Sequence, residues 1–144
     1  MTGSIDPTRT QFDVFKALPR DQPIQMLNLI RLRTVADYPA AHPNFGQSLS
    51  GLDAYRAYGR ETAGIFKSVG GLQIWAGRPD GVLTGPLDEQ WDLAFIAQYP
   101  DAHAFLAMVT DPDYRAIVVH RQAAVVDSRL IRMAPLTAGE GFGE

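Results

Sequence analysis

Trp91-Asp-Leu-Ala-Phe-Ile-Ala-Gln-Tyr99, the break at Pro100, and Val126-Asp-Ser-Arg-Leu-Ile-Arg-Met133 decide the fold of this chain. Both runs have the length and apolar content of strands, and the interval between them carries helix signals. Asp101 can cap a short helix holding Phe105, Leu106 and Val109. Asp111-Pro112 restarts it, with a capping carboxylate followed by proline at the first helical position, and the helix runs to about Ala124. The result is a strand–helix–strand half of a small two-layer domain.

Working outward, residues 24–33 (Ile-Gln-Met-Leu-Asn-Leu-Ile-Arg-Leu-Arg) read as the first strand. Met26 and Ile30 share one parity and Leu27 and Leu29 the other, so both faces of this strand expect burial. Residues 51–68 read as a helix with Tyr55, Tyr58, Thr62, Ile65 and Phe66 on one side. Gly70-Gly71 ends it, since a left-handed cap favours glycine. Leu72–Gly77 is a second strand, with a resumption expected at 82–84, and residues 85–90 form a hairpin connection into the third. Asp6-Pro7 starts a helix over 7–18 in front of all this, with Phe12, Phe15 and Leu18 at helical spacing. Residues 34–50 have no periodicity and are longer than the usual ~4–6-residue connection. A functional lid and an unanchored insertion are the two readings, and the Pro-, Gly- and polar-rich composition favours the insertion.

The order β-α-β-β-α-β makes an α+β, ferredoxin-like two-layer sandwich with an extra N-terminal helix. Helices cover one face of such a sheet, yet the first and third strands are apolar on both. A second copy of the chain is the simplest cover for the other face, so a homodimer packed sheet to sheet is expected. Residues 1–6 are read as a disordered N-terminus, 7–135 as the single domain and 136–144 as a flexible tail.

Composition narrows the function classes. The chain has no cysteine, so thiolate chemistry and thiolate metal sites are out. A net charge of −3, with lysines and arginines scattered, gives no nucleic-acid footprint. No apolar run approaches the ~18 residues of a membrane span, and the start lacks the basic and apolar regions of a secretory signal. A cytoplasmic chain whose partners are itself and a small molecule, with neither nucleic acid nor membrane, is the expectation.

Met26-Leu-Asn-Leu-Ile-Arg-Leu-Arg33, Tyr55-Arg-Ala-Tyr-Gly59, Trp91-Asp92, Tyr99-Pro100, Asp111-Pro-Asp-Tyr114, His120-Arg121 and Asp127-Ser-Arg-Leu-Ile131 resemble domain-of-unknown-function family 1330. The resemblance spans roughly Thr8 to Pro135 and implies membership of the dimeric α/β-barrel superfamily, in which two sheets pair into a barrel. It implies no reaction: superfamily relatives include cofactor-free monooxygenases, haem enzymes, lactone isomerases and non-catalytic binders, and fold does not choose among them.

Arg121 is the anomaly within the pattern. On a helix from Asp113 it falls inside the apolar stripe of Tyr114, Ile117, Val118, Ala124 and Val125, where an arginine needs a partner. Either it reaches into a cavity between helix and sheet, ready for a carboxylate or enolate oxygen, or it snorkels or pairs with a structural acid such as Asp92 or Asp127. His120 is the acid–base candidate, with an unperturbed pKa near neutrality, and otherwise a half-exposed boundary residue. His120 and Arg121 form the candidate catalytic pair. Asn28, Tyr55, Tyr58 and Trp75 are the candidate ligand-binding residues, an aromatic set with a few polar points, against the alternative of ordinary core tyrosines. Asp127 and Arg129 share a strand parity and are read as a structural ion pair. The histidines lack metal-ligand spacing, so no metal and no cofactor is expected; haem on one histidine, His120 or His103, is the one cofactor left to test. The leading reading is a small-molecule binder acting on an oxygen-bearing metabolite, by proton transfer or cofactor-free oxidation if it is an enzyme. A non-catalytic binding or structural homodimer is the alternative.

Overall fold

The computed structural model describes residues 3–141. A four-stranded antiparallel sheet in the order β2-β3-β1-β4 is built from β1 (Ile24–Leu32), β2 (Leu72–Gly77), β3 (Leu93–Tyr99) and β4 (Val125–Met133). Five helices accompany it: α1 (Arg9–Ala17), α2 (Gly51–Ser68), α3 (Ala102–Thr110), α4 (Pro112–Ile117) and α5 (Val119–Ala124). This is the expected βαββαβ order, with the helical stretch after β3 broken at Asp111, as expected, and again at Val118.

Local chemistry sets the element ends. Ser50, Asp101 and Asp111 each accept a main-chain N–H at the start of α2, α3 and α4. Gly70 follows α2 at φ +84°, the left-handed stop read from its sequence. Asp6-Pro7 does not cap α1. Thr8 does, because Thr8 and Gln11 close a reciprocal capping box two residues further on. Residues 82–84 form no strand, and β2 ends at Gly77.

The sheet faces divide by register. Ile24, Met26, Asn28 and Ile30 of β1 face the helices beside Tyr99, Ala97, Phe95 and Leu93 of β3. A row on the opposite face crosses all four strands: Trp75 opposite Ile96, Ile96 opposite Leu27, Leu27 opposite Ile131. Trp75 is 51% exposed and Ile131 46%, so this face is apolar and open in the single chain. A register shift between Gln73 and Trp75 puts the tryptophan there. Uninterrupted alternation would have kept both on the helix side, and one extra residue moves a side chain to the other face.

The 34–50 connection is anchored, not loose. Val35 bridges Ser50, Ala36 N–H donates to the Leu49 carbonyl and Asp37 N–H to the Ala123 carbonyl. Tyr38 is buried beneath it, 4% exposed, against Ala123 and Ala124. The N-terminal residues also depart from expectation. Ser4 N–H donates to Asp127 and the Ser4 carbonyl accepts from Ser128, so residues 3–6 are held against β4. Residues 1–2 lie outside the described part, as do 142–144 of the expected tail; 136–141 contain no helix or strand.

Candidate ligand cavity

A cavity of ≈ 1930 Å³ lies between the helices and the helix-facing side of the sheet. Its size exceeds the ~300–1,000 Å³ of an enclosed small-molecule pocket because it opens along α1. None of the residues of α1 is buried, and the helix roofs the cavity with Phe12 and Phe15. Met26, Phe95, Phe66, Phe105 and Met108 supply apolar wall. Asn28, Tyr55, Tyr58, Thr62, Tyr114, Arg121 and Ser128 supply the polar points.

The tyrosines dominate the chemistry. Tyr58 and Tyr114 bring their hydroxyls within 2.8 Å of each other across α2 and α4. Two phenols sharing one hydrogen bond use one proton between them and leave the other free to donate to a guest. Burial pushes the Tyr55 phenol up to about 12, against a lowering by Arg121, and lifts Tyr58 well above its ordinary range, with Tyr114 adding to the rise. These hydroxyls are therefore protonated at neutral pH, and act as donors and not as bases. Asn28 spends one amide N–H on the Met26 carbonyl at 3.0 Å.

Arg121 reaches the cavity wall with 12% of its side chain exposed. Its partners are neutral oxygens, the Ile5 carbonyl and, at 3.3 Å, the Ser128 hydroxyl, while the nearest carboxylate oxygen, on Asp6, is 4.0 Å away. Neither suggested structural acid pairs with it. Asp92 accepts the Leu32 N–H at 2.7 Å. Asp127 binds Arg129 at 2.8 Å, the pair expected along β4. Burial alone would raise the Asp127 carboxyl; the Ser4 N–H, Arg129 and the Ser128 N–H together hold it below the usual value.

His120 does not join Arg121. One residue along the helix turns it about 100° away, toward α2 and the 34–50 connection. There its Nε2 lies 2.9 Å from Glu61 and its Nδ1 2.7 Å from the Tyr38 hydroxyl. A carboxylate only accepts, so Nε2 carries the proton of the neutral ring and Nδ1 accepts from Tyr38. His42 stacks on the Tyr38 ring at 4.6 Å. His103 is exposed on α3. No histidine is among the described residues lining the cavity, so the structure does not bring His120 together with Arg121 there. Trp75, on the open face, is likewise outside the cavity, whereas Asn28, Tyr55, Tyr58 and Arg121 come together in it. Tyr114 and Ser128 were missed. Tyr114 was legible as a stripe residue one turn after the Asp111 cap, but nothing local distinguished Ser128 or the Ile5 carbonyl.

The model of a domain of unknown function (DUF1330) matches residues 48–133, more than half of the chain. The chain belongs to the DUF1330 family. A protein of unknown function from Rhodopseudomonas palustris is 50% identical over 94% of this chain and 99% of its own, with a TM-score of 0.86. A candidate antibiotic biosynthesis monooxygenase from Bacteroides thetaiotaomicron shares the fold at 17% identity and TM-score 0.53, covering 85% of this chain and 97% of its own. An uncharacterised NIPSNAP domain protein from Burkholderia xenovorans does so at 14% identity and TM-score 0.51, covering 83% of this chain and 100% of its own. No curated protein matches the sequence. As in those neighbours, this DUF1330 domain has the ferredoxin-like fold, and no helix among its described residues is long and apolar enough to cross a membrane.

Proposed function

We propose that this DUF1330 protein binds a small, largely apolar, oxygen-bearing molecule in the cavity between helices and sheet. The Tyr58–Tyr114 hydroxyl pair at 2.8 Å carries this reading, because it offers a phenolic proton to a guest inside an apolar wall. Tyr55 and Asn28 add further polar contacts, and the aromatic rings supply the area that small molecules need. Should turnover occur, protonated phenols and Arg121 favour stabilising an enolate or other oxyanion, as donors aimed at developing charge do. With His120 committed to Tyr38 and Glu61, the base for any proton transfer would come from the substrate or solvent. That observation favours binding over general-base catalysis. Titration calorimetry with a panel of bicyclic aromatic ketones tests the site. At least one should bind saturably, and Tyr58→Phe should weaken it about tenfold, the equivalent of ~1.4 kcal/mol for a lost hydrogen bond. No saturable binding by any of them would sink the proposal.

The open sheet face we assign to a second copy. Leu27, Trp75, Ile96 and Ile131 form one apolar row, and a two-fold axis would set identical rows against each other.

A further inference from the structure

The charge around the cavity is lopsided. The chain carries 13 Lys and Arg against 16 Asp and Glu, yet seven of those cations and two of those acids, Asp6 and Asp13, line the cavity. Some of this is already neutralised or weak. Arg129 is paired with Asp127 and Glu89, and Lys16 with Asp13. Charges at the rim are screened within a Debye length of ~8 Å at physiological salt.

Arg121 is different: little of it reaches solvent, its ion pair with Asp6 is long at 4.0 Å, and only neutral oxygens lie in hydrogen-bonding contact with it. One of these belongs to residues 4–6, held by a few polar contacts and by Ile5 packed against the cluster of Ile30, Tyr38 and Val125. Residues 4–6 are tied down by the Ser4 N–H to Asp127, the Ser128 hydroxyl to the Ser4 carbonyl and Gln122 to Asp6. Gly3 permits this: its backbone lies so close to the Val126 carbonyl that a Cβ would stand 1.7 Å from that oxygen. The following helix α1 buries none of its residues. A neutral carbonyl on such a strap is a poor competitor for a guanidinium. A carboxylate makes charge-assisted, forked hydrogen bonds roughly twice as strong.

We infer that the ligand of this cavity is a carboxylate with an apolar body, its anionic head received by Arg121 and Ser128 in place of the Ile5 carbonyl. This rests on the reading of the cavity as a binding site, and it names the charge of the guest. It also makes residues 4–6 a lid that must leave Arg121 for the guest to enter.

The test titrates the full chain with 2-naphthoate and with its neutral methyl ester. The acid should bind at least about tenfold tighter than the ester, and Arg121→Met should bring the acid down to the level of the ester. Equal binding of acid and ester overturns the inference but leaves the cavity reading standing; binding of neither overturns both. A preference for the acid that survives in Arg121→Met overturns the role given to Arg121. A second measurement needs no variant. Bound 2-naphthoate should release the Ser4 amide from hydrogen-exchange protection while the bound ester leaves it protected, and unchanged protection with bound acid overturns the displacement of the strap.

Discussion

Tyr58 and Tyr114, fifty-six positions apart, meet hydroxyl to hydroxyl at 2.8 Å and join α2 to α4 over the cavity. The two rings stand edge to face at 74°, so the hydrogen bond is supported by packing on both sides.

Because the two hydroxyls share one hydrogen bond, the costs of removing them should not add. Tyr58→Phe leaves the partly buried Tyr114 hydroxyl short of a partner, a loss of about 1–3 kcal/mol. Adding Tyr114→Phe should cost less than its own single effect, giving a coupling energy that urea denaturation of the four proteins in the cycle reads directly. Strictly additive losses would mean the hydroxyls do not depend on each other.

The Tyr38–His120–Glu61 chain fastens the 34–50 connection to α2 and α5 and stands away from the cavity. Tyr38→Phe should remove the donor to a buried imidazole nitrogen and lower stability by about 1–3 kcal/mol. Calorimetric affinity for a cavity ligand should stay within about twofold, the spread expected of a site with no shared partner. A large loss of affinity with intact stability would instead put His120 back among the functional residues.

If the open sheet face holds a second copy, Trp75→Glu places a charge in the middle of a buried apolar row. The native chain should scatter light as a dimer and the variant as a monomer at micromolar concentration, with little change in the far-ultraviolet circular dichroism of either. A native monomer would refute the assignment.

Asp127 predicts a pH dependence for the N-terminal strap. Its carboxyl is held below its unfolded value, chiefly against the effect of burial, by the Ser4 N–H and Arg129. The folded form thus binds its proton later than the unfolded one. Its stabilising contribution is complete above the unfolded pKa of about 4 and disappears as pH falls through the lower folded value. Protection of the Ser4 amide should therefore decline only below about pH 4, and Asp127→Asn should make it weak at all pH values. Loss of protection already between pH 5 and 7 would point to another group.

Most of the fold was legible along the chain, because strand and helix periods and caps are local. The Asp101 and Asp111 starts, the Gly70 stop and the both-sided apolar character of β1 each follow from a few neighbouring residues. The candidate site was legible only in part. Tyr55, Tyr58, Asn28 and Arg121 carried the right parity or helical phase and converge on the cavity. Trp75 was lost to a bulge, since one irregular register step reverses the face of a side chain. His120 was lost because helical phase says that a residue leaves the surface without saying what it meets.

The sequence by itself determined the order of elements, the apolar character of both sheet faces and the presence of one arginine in an apolar stripe. Those follow from periodicity, which each segment carries alone. Only the tertiary structure decided the partners. Tyr38 reaches His120 across 82 positions and Ile5 reaches Arg121 across 116, contacts set by how the chain crosses itself. The neighbours His120 and Arg121 therefore serve different places, one closing a buried latch and the other facing the cavity.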